Sequence, residues 1–250
     1  MPTARPAAVI GELSATVDYL RITVGGPADG WLRCAPLVSD PEVLSALIAS
    51  TKADRGTDQD DVATSLFVQG YAFRVASTAI GVWLLGGLVL DVAPANTSIA
   101  IGRGRPNAIR LDAATAEESA SISDLHAELV DGHLAPLVAT ARRTCRVGAA
   151  LLWGNVAASC VAAFGAVAGA LPARRVEVRD RAEEFLVAAR PEVRDAGRLV
   201  RVGEQFAWER RSCCLWYQTA SAWLCEDCSL RSDEDRQERY DAMVAAQAAP

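Results

Sequence analysis

The chain has 250 residues, 51% hydrophobic and 22% charged, which is the composition of a globular protein with a sizeable core. Its net charge of -6 excludes the basic footprint of a nucleic-acid binder. Met1 to Ala8 holds two prolines and no apolar run, so no secretory leader is read there and a reducing, cytoplasmic setting is expected.

Residues 1–10 read as a loose tail, and Leu13 to Leu20 as the start of a helix or strand. Trp31 to Leu37 reads as irregular, with Gly30 before it and Pro36 inside it. Asp40-Pro41-Glu42 is a helix start: an N-cap, a proline at the first position and an acid in the first turn. That helix is expected to reach about Thr51. A polar loop over Ala53–Asp61 precedes a long helix from about Asp61 to Ile80, with a break expected near Gly81 or Gly86-Gly87. Short β-type runs follow at Leu88–Val92, Ser98–Gly102 and Ala108–Leu111, separated by turns, and predict a small antiparallel sheet or meander. Helices are expected at Ser121–Asp131, Leu134–Arg146, Val147 to about Gly169, Arg174–Ala189 and Pro191 to about Val200. Asp233 to Ala249 reads as a charged, alanine-rich, frayed helix.

The fold class is therefore mainly α (α+β). The expected parts are a helix-dominated domain over 1–202, a cysteine-rich segment over 203–230 and a charged tail over 231–250. Val75–Leu90 and Val147–Ala173 carry no charge. The second run is long enough to span a bilayer, but it is built from Ala, Gly, Val and Ser with Asn155 and Pro172 inside it. Both read as close-packed core helices, leaving at most peripheral membrane contact.

Chemistry concentrates near the end of the chain. Cys213 and Cys214 stand side by side, followed by Cys225 and Cys228, giving C-C-x10-C-x2-C. Four thiolates in this span match a tetrahedral metal site or an iron–sulfur cluster. Adjacent side chains point apart in most backbone conformations, so the doublet suits a two-iron target better than a single ion. A structural zinc site in a binding protein without redox activity is the competing reading, separable by colour. Cys34, Cys145 and Cys160 lack partners at knuckle spacing and read as buried apolar residues. His126 and His133 read as structural, since four cysteines already complete a ligand set. Trp208, Trp216, Tyr217 and Trp223 crowd the motif and read mainly as packing that fixes the segment to the domain. Arg103, Arg105 and Arg110 flank turns of the small sheet and read as a solvated loop. Gly25-Gly26 and Gly102-Arg103-Gly104 lack the spacing and following helix of a nucleotide-binding loop.

The C-terminal segment resembles the FhuF-type ferric siderophore reductases, whose diagnostic feature is a C-terminal C-C-x10-C-x2-C holding a [2Fe–2S] cluster. Cys213, Cys214, Cys225 and Cys228 match it at every spacing, and Arg211-Ser212 before the doublet is similar to the family. Leu152-Trp153-Gly154-Asn155 resembles the family's central helix, whereas the first 70 residues carry little likeness. Ser229 departs from the proline common after the last cysteine, a change of turn and not of ligand count. The resemblance implies a one-electron oxidoreductase whose cluster, held by these cysteines, reduces Fe(III) in a ferric siderophore, expected to be of hydroxamate type. It also implies an external electron donor such as a ferredoxin or flavin reductase. Arg210 and Arg211 beside the motif, with Trp216 and Trp223, are the candidates for contacts with substrate or donor. The nearby Glu226 and Asp227 push a cluster toward low potential.

Overall fold

The computed structural model describes residues 4–118, 121–220 and 223–248; the remaining positions of the tail, of the cysteine segment and before Ser121 lie outside it. Two apolar helices set the architecture. Helix α4 (Asp60–Gly86) and helix α7 (Ala149–Ala170) make the most extensive contact between helices. Val75 to Leu84 and Leu152 to Val161 are each buried without interruption. Helices that are apolar all round belong inside, and α7, although long and apolar enough to cross a membrane, forms the core here.

The other helices surround this pair. They are α1 (Ala4–Thr16), α2 (Cys34–Ser39), α3 (Pro41–Arg55), α5 (Ile122–Leu125), α6 (Ala135–Thr144), α8 (Arg175–Ala188), α9 (Pro191–Arg194) and α10 (Asp233–Ala248). Helices make up 60% of the protein, as expected for the fold class. Asp40 caps α3 as read from the sequence, its carboxylate accepting from the Glu42 N–H at 2.8 Å. The expected loose tail is instead helical from Ala4, because Val9, Ile10 and Leu13 seat one face of α1 against α4. Gly81 does not break α4: a Cβ there would meet the Leu13 side chain at 2.6 Å, so the glycine admits α1. The helix ends where Gly87 takes φ 63°.

The sheet differs from a meander. Strands β1 (Ile22–Val24), β2 (Leu32–Arg33), β4 (Thr97–Gly102) and β5 (Arg105–Leu111) form one sheet in the order β1-β5-β4-β2, with β1 parallel to β5. Strand β3 (Leu88–Leu90) pairs separately with β6 (Ala116–Glu118). β1 and β2 are too short to show a period in sequence. Arg110 is not solvated: it is buried, pairs with Asp112 and donates to Gly25 and Gly26 carbonyls. Between α5 and α6, His126–Leu134 winds as a π-helix. Both histidines on it are buried. His133 shares a 2.7 Å hydrogen bond with the Tyr71 hydroxyl and a second with the Val92 carbonyl. His126 bonds the Phe185 carbonyl at 2.8 Å and stacks on that ring. Burial lowers the pKa of His133 to about 4.

The helix expected from Pro191 to Val200 stops after one turn, at Arg194. Strands β7 (Gly197–Val202) and β8 (Gln205–Arg210) follow as an antiparallel hairpin whose two-residue turn places Gly203 at φ 60°. The β-branched, alternating Arg198-Leu199-Val200-Arg201-Val202 suits a strand better than a helix. This hairpin carries the chain from the helical part into the cysteine segment. Helix α10 docks on it rather than fraying: Tyr240 donates to Glu209 at 2.7 Å, and Gln247 bonds Val202 and Glu204 across the hairpin.

Candidate metal centre

Strand β8 ends in Arg210, and the chain then turns across α7. Ser212 lies so close to Gly154 that a Cβ on that glycine would sit 2.0 Å from the Ser212 Oγ. Leu215 adopts φ 67°, a left-handed turn that brings its N–H to the Cys213 Sγ at 3.3 Å. The second pair sits on a knuckle in which the Cys228 N–H bonds the Cys225 carbonyl at 3.2 Å. Two of the four thiols are in contact: Cys214 Sγ lies 3.6 Å from Cys225 Sγ. Cys213 and Cys228 belong to the same two stretches of chain, but no three metal-ligating side chains among the described residues stand close enough together to hold an ion as they lie. Two thiolates on one tetrahedral metal with bonds of about 2.3 Å would stand about 3.8 Å apart, so the Cys214–Cys225 spacing suits a shared iron. Of the doublet, Cys214 faces Cys225, while the Cys213 sulfur accepts from the Leu215 N–H.

A buried polar chain supports this loop from the core. The Arg210 side chain has 0% exposure, lies 3.7 Å from Asp227 and donates to Asn155 Oδ1. Asn155 donates to the Ser65 carbonyl at 2.9 Å and to its hydroxyl at 2.8 Å. The Ser65 hydroxyl donates to the Cys214 carbonyl at 2.7 Å. Each link runs donor to acceptor in one direction, so the bonds polarise one another. Asn155 is the one carboxamide in the apolar stretch of α7, and a buried amide needs partners. From the other side Arg231 grips the knuckle, donating to the carbonyls of Cys225 at 2.8 Å and Leu224 at 2.9 Å while pairing with Asp235.

The electrostatics favour the anion at Cys214 alone. The hydrogen bond with Cys225 pulls the Cys214 thiol down to about 6 against the cost of burial, with help from Arg210 and the Trp216 N–H. The same shared bond pushes Cys225 strongly up, so the pair holds one proton between them. Burial raises Cys213.

The residues expected at this site divide by position. Cys214 and Cys225 come into contact, with Cys213 and Cys228 next to them in the chain. Arg210 points inward, so its guanidinium acts on the loop from within and has no free face for a docking molecule. Arg211 is exposed and donates to the Asp195 carbonyl. Trp216 is half-buried under Arg55, 4.7 Å from ring centroid to guanidinium, and meets Trp223 edge-to-face at 6.0 Å. Only Trp208 of the four aromatics packs as core; Tyr217 and Trp223 are exposed, with Trp223 at 58%. Cys34 and Cys160 are buried as expected, but Cys145 is half-buried beside the Thr64 hydroxyl at 3.1 Å. The reading from sequence missed Ser65, Asn155 as a linking residue and Arg231. An amide inside an uncharged helix was the signal for Asn155; Ser65 and Arg231 carry none.

A helical protein whose C-terminal loop carries four cysteines beside a buried arginine fits the class of iron–sulfur proteins, and two family matches bear on that directly. Residues 65–204 match the family model described as "Ferric iron reductase FhuF-like transporter", and residues 210–230 match the "FhuF 2Fe-2S C-terminal domain". The first match covers more than half of the chain, and the chain belongs to this ferric iron reductase family, with a [2Fe–2S] cluster as its cofactor. No curated protein matches the chain.

Proposed function

We propose that Cys213, Cys214, Cys225 and Cys228 hold the [2Fe–2S] cluster and that the protein reduces Fe(III) carried by a siderophore of hydroxamate type, in the cytoplasm. The match of residues 210–230, which contain all four cysteines, to a 2Fe-2S domain carries this reading, and the 3.6 Å contact of Cys214 with Cys225 agrees with it. The same match weighs against the zinc alternative.

When bound, the cluster supplies a one-electron carrier. The protein's own residues set the conditions for it. Arg210 places a fixed, desolvated cation beside the loop, which favours the added negative charge of the reduced state. Ser65, Asn155 and Arg231 hold the loop carbonyls and limit its rearrangement. The substrate's Fe(III) is bound by hard oxygen donors, for which Fe(II) is a poorer partner, so adding one electron makes the iron exchangeable. Without a dinucleotide-binding loop in the sequence, the electrons are supplied from outside by a ferredoxin or a flavin reductase.

A single-turnover test is direct. The dithionite-reduced protein, freed of excess reductant under anaerobic conditions, is mixed with ferrioxamine and a ferrous chelator. The reading expects one ferrous ion per oxidised cluster, with the visible bands returning at the same rate. A reduced protein that stays bleached in the presence of ferrioxamine contradicts it.

A further inference from the structure

We infer that the cleft between α4, α7, β8 and α10 is the docking site for the ferric siderophore, and that it selects hydroxamate complexes bearing free carboxylates over neutral or cationic ones. This rests on the reductase reading above and adds the site and the charge class of the substrate.

The cleft has a volume of about 580 Å³, within the roughly 300–1,000 Å³ of small-molecule sites. It abuts the thiols: Trp216, Glu226 and Asp227 line it, and the two acids lie between Cys225 and Cys228. A complex seated there is next to the cysteine loop, as short-range electron transfer requires.

Its charge is opposite to that of the molecule. The chain carries -6, yet five arginines and three carboxylates line the cleft. The carboxylates are already engaged: Glu209 by Arg198 and Tyr240, Asp227 by Arg210 and Glu226 by Arg239. Of the lining arginines, Arg239, Arg236 and Arg55 have carboxylate partners in Glu226, Asp233 and Asp54, whereas Arg74 and Arg105 have none among the described residues. Arg74 donates only to the carbonyls of Tyr19 and Pro106. Arg105 stands exposed at the β4–β5 turn with no carboxylate partner among the described residues. Burial first, and the nearby charge of Arg105 with it, disfavours the charge on both Arg55 and Arg74. An anionic ligand seated beside Arg74 and Arg105, which have no carboxylate of their own, relieves that cost.

The floor carries a second signal. Trp208 and Trp216 line the cleft and offer aromatic surface on which the apolar spacers of a chelate can pack. Arginine forks facing carboxylates, with indoles beneath, suit a chelate that presents an oxygen-rich, negatively charged rim.

The test uses gallium(III), which fills the chelate but does not accept an electron. Two probes share one chelate: the gallium complex of desferrioxamine B, with a cationic amine tail, and the same complex with that amine succinylated to an anionic tail. Calorimetric titration of the cluster-loaded protein should show the succinylated complex binding about tenfold tighter or more, with the gap narrowing as salt rises. Arg105→Glu, at an exposed position, should abolish the gap and leave the visible spectrum unchanged, and the milder Arg105→Gln should shrink it. Equal binding of the two probes, or a gap that survives Arg105→Glu, overturns the inference. Reduction of both ferric forms with no charge preference in binding overturns it while leaving the reductase reading intact. Charge-selective binding without reduction of either ferric form supports the cleft's preference and overturns the reading beneath it.

Discussion

Replacing Asn155 with leucine tests the polar chain that ties the cysteine loop to the core. Leucine keeps the branched heavy-atom skeleton of asparagine and is somewhat bulkier, so the substitution removes the hydrogen bonds without opening a cavity. The Asn155 Oδ1 is the acceptor for one Arg210 nitrogen, while the other two guanidinium nitrogens have no hydrogen-bond acceptor. Losing a bond to a buried charged group costs about 1.5–3 kcal/mol, and losing the donation to Ser65 costs about 1 kcal/mol more. The total of about 2.5–4 kcal/mol corresponds to a fall in Tm of about 10 °C for a chain of this length. The assay is thermal unfolding followed in parallel by far-UV circular dichroism and visible absorbance. Ser65→Ala should cost about 1–2 kcal/mol, because it removes the donor to the Cys214 carbonyl and leaves Arg210 paired. The double variant should fall short of the sum, since the two residues share bonds. An Asn155→Leu protein melting within about 2 °C of the parent, or strict additivity with Ser65→Ala, refutes the linked chain.

Other outcomes are expected. Cys213→Ser or Cys214→Ser should lose the visible absorbance with far-UV dichroism retained, whereas Cys160→Ser, fully buried in α7, should keep its colour; absorbance in Cys214→Ser removes that residue from the ligand set. Gly154→Ala should be close to neutral, because its Cβ turns the Ser212 Oγ away from the Ala150 carbonyl at a cost of about 1 kcal/mol that offsets alanine's roughly 1 kcal/mol advantage in a helix; a stabilisation of more than about 1 kcal/mol would show that the segment does not lie there. His133 is neutral in the fold with its pKa lowered from 6.5 to about 4, so its contribution is whole above pH 6.5 and is lost as pH falls toward 4. That loss amounts to about 3 kcal/mol. Ring resonances of His133 that titrate near 6.5 in the folded protein contradict its burial.

Covalent pattern and local start signals were the legible part. The four cysteines stand out because few other roles place thiols at that spacing, and Asp40-Pro41-Glu42 caps its helix through contacts within three residues. The apolar runs identified α4 and α7 as core because length and composition alone make them bury. What stayed hidden depends on distant partners. Gly81 looks like a breaker until Leu13 is seen against it. Arg110 looks like a solvated turn residue until Asp112 and two glycine carbonyls close around it. Strands β7 and β8 follow a genuine helix start, which misled the reading over Pro191–Val200. At the site, the ligand types were written in the sequence, but the pairing of Cys214 with Cys225 and the grip of Arg231 arise only from tertiary placement.

The central claim is that the four thiols hold a two-iron cluster. Its most direct test is an anaerobic visible spectrum of the purified protein, before and after dithionite, with iron, sulfide and zinc assayed on the same sample. The account expects a brown protein that bleaches on reduction and contains two irons and two sulfides per chain. A colourless protein with one zinc and no sulfide contradicts it and leaves the four cysteines as a structural site.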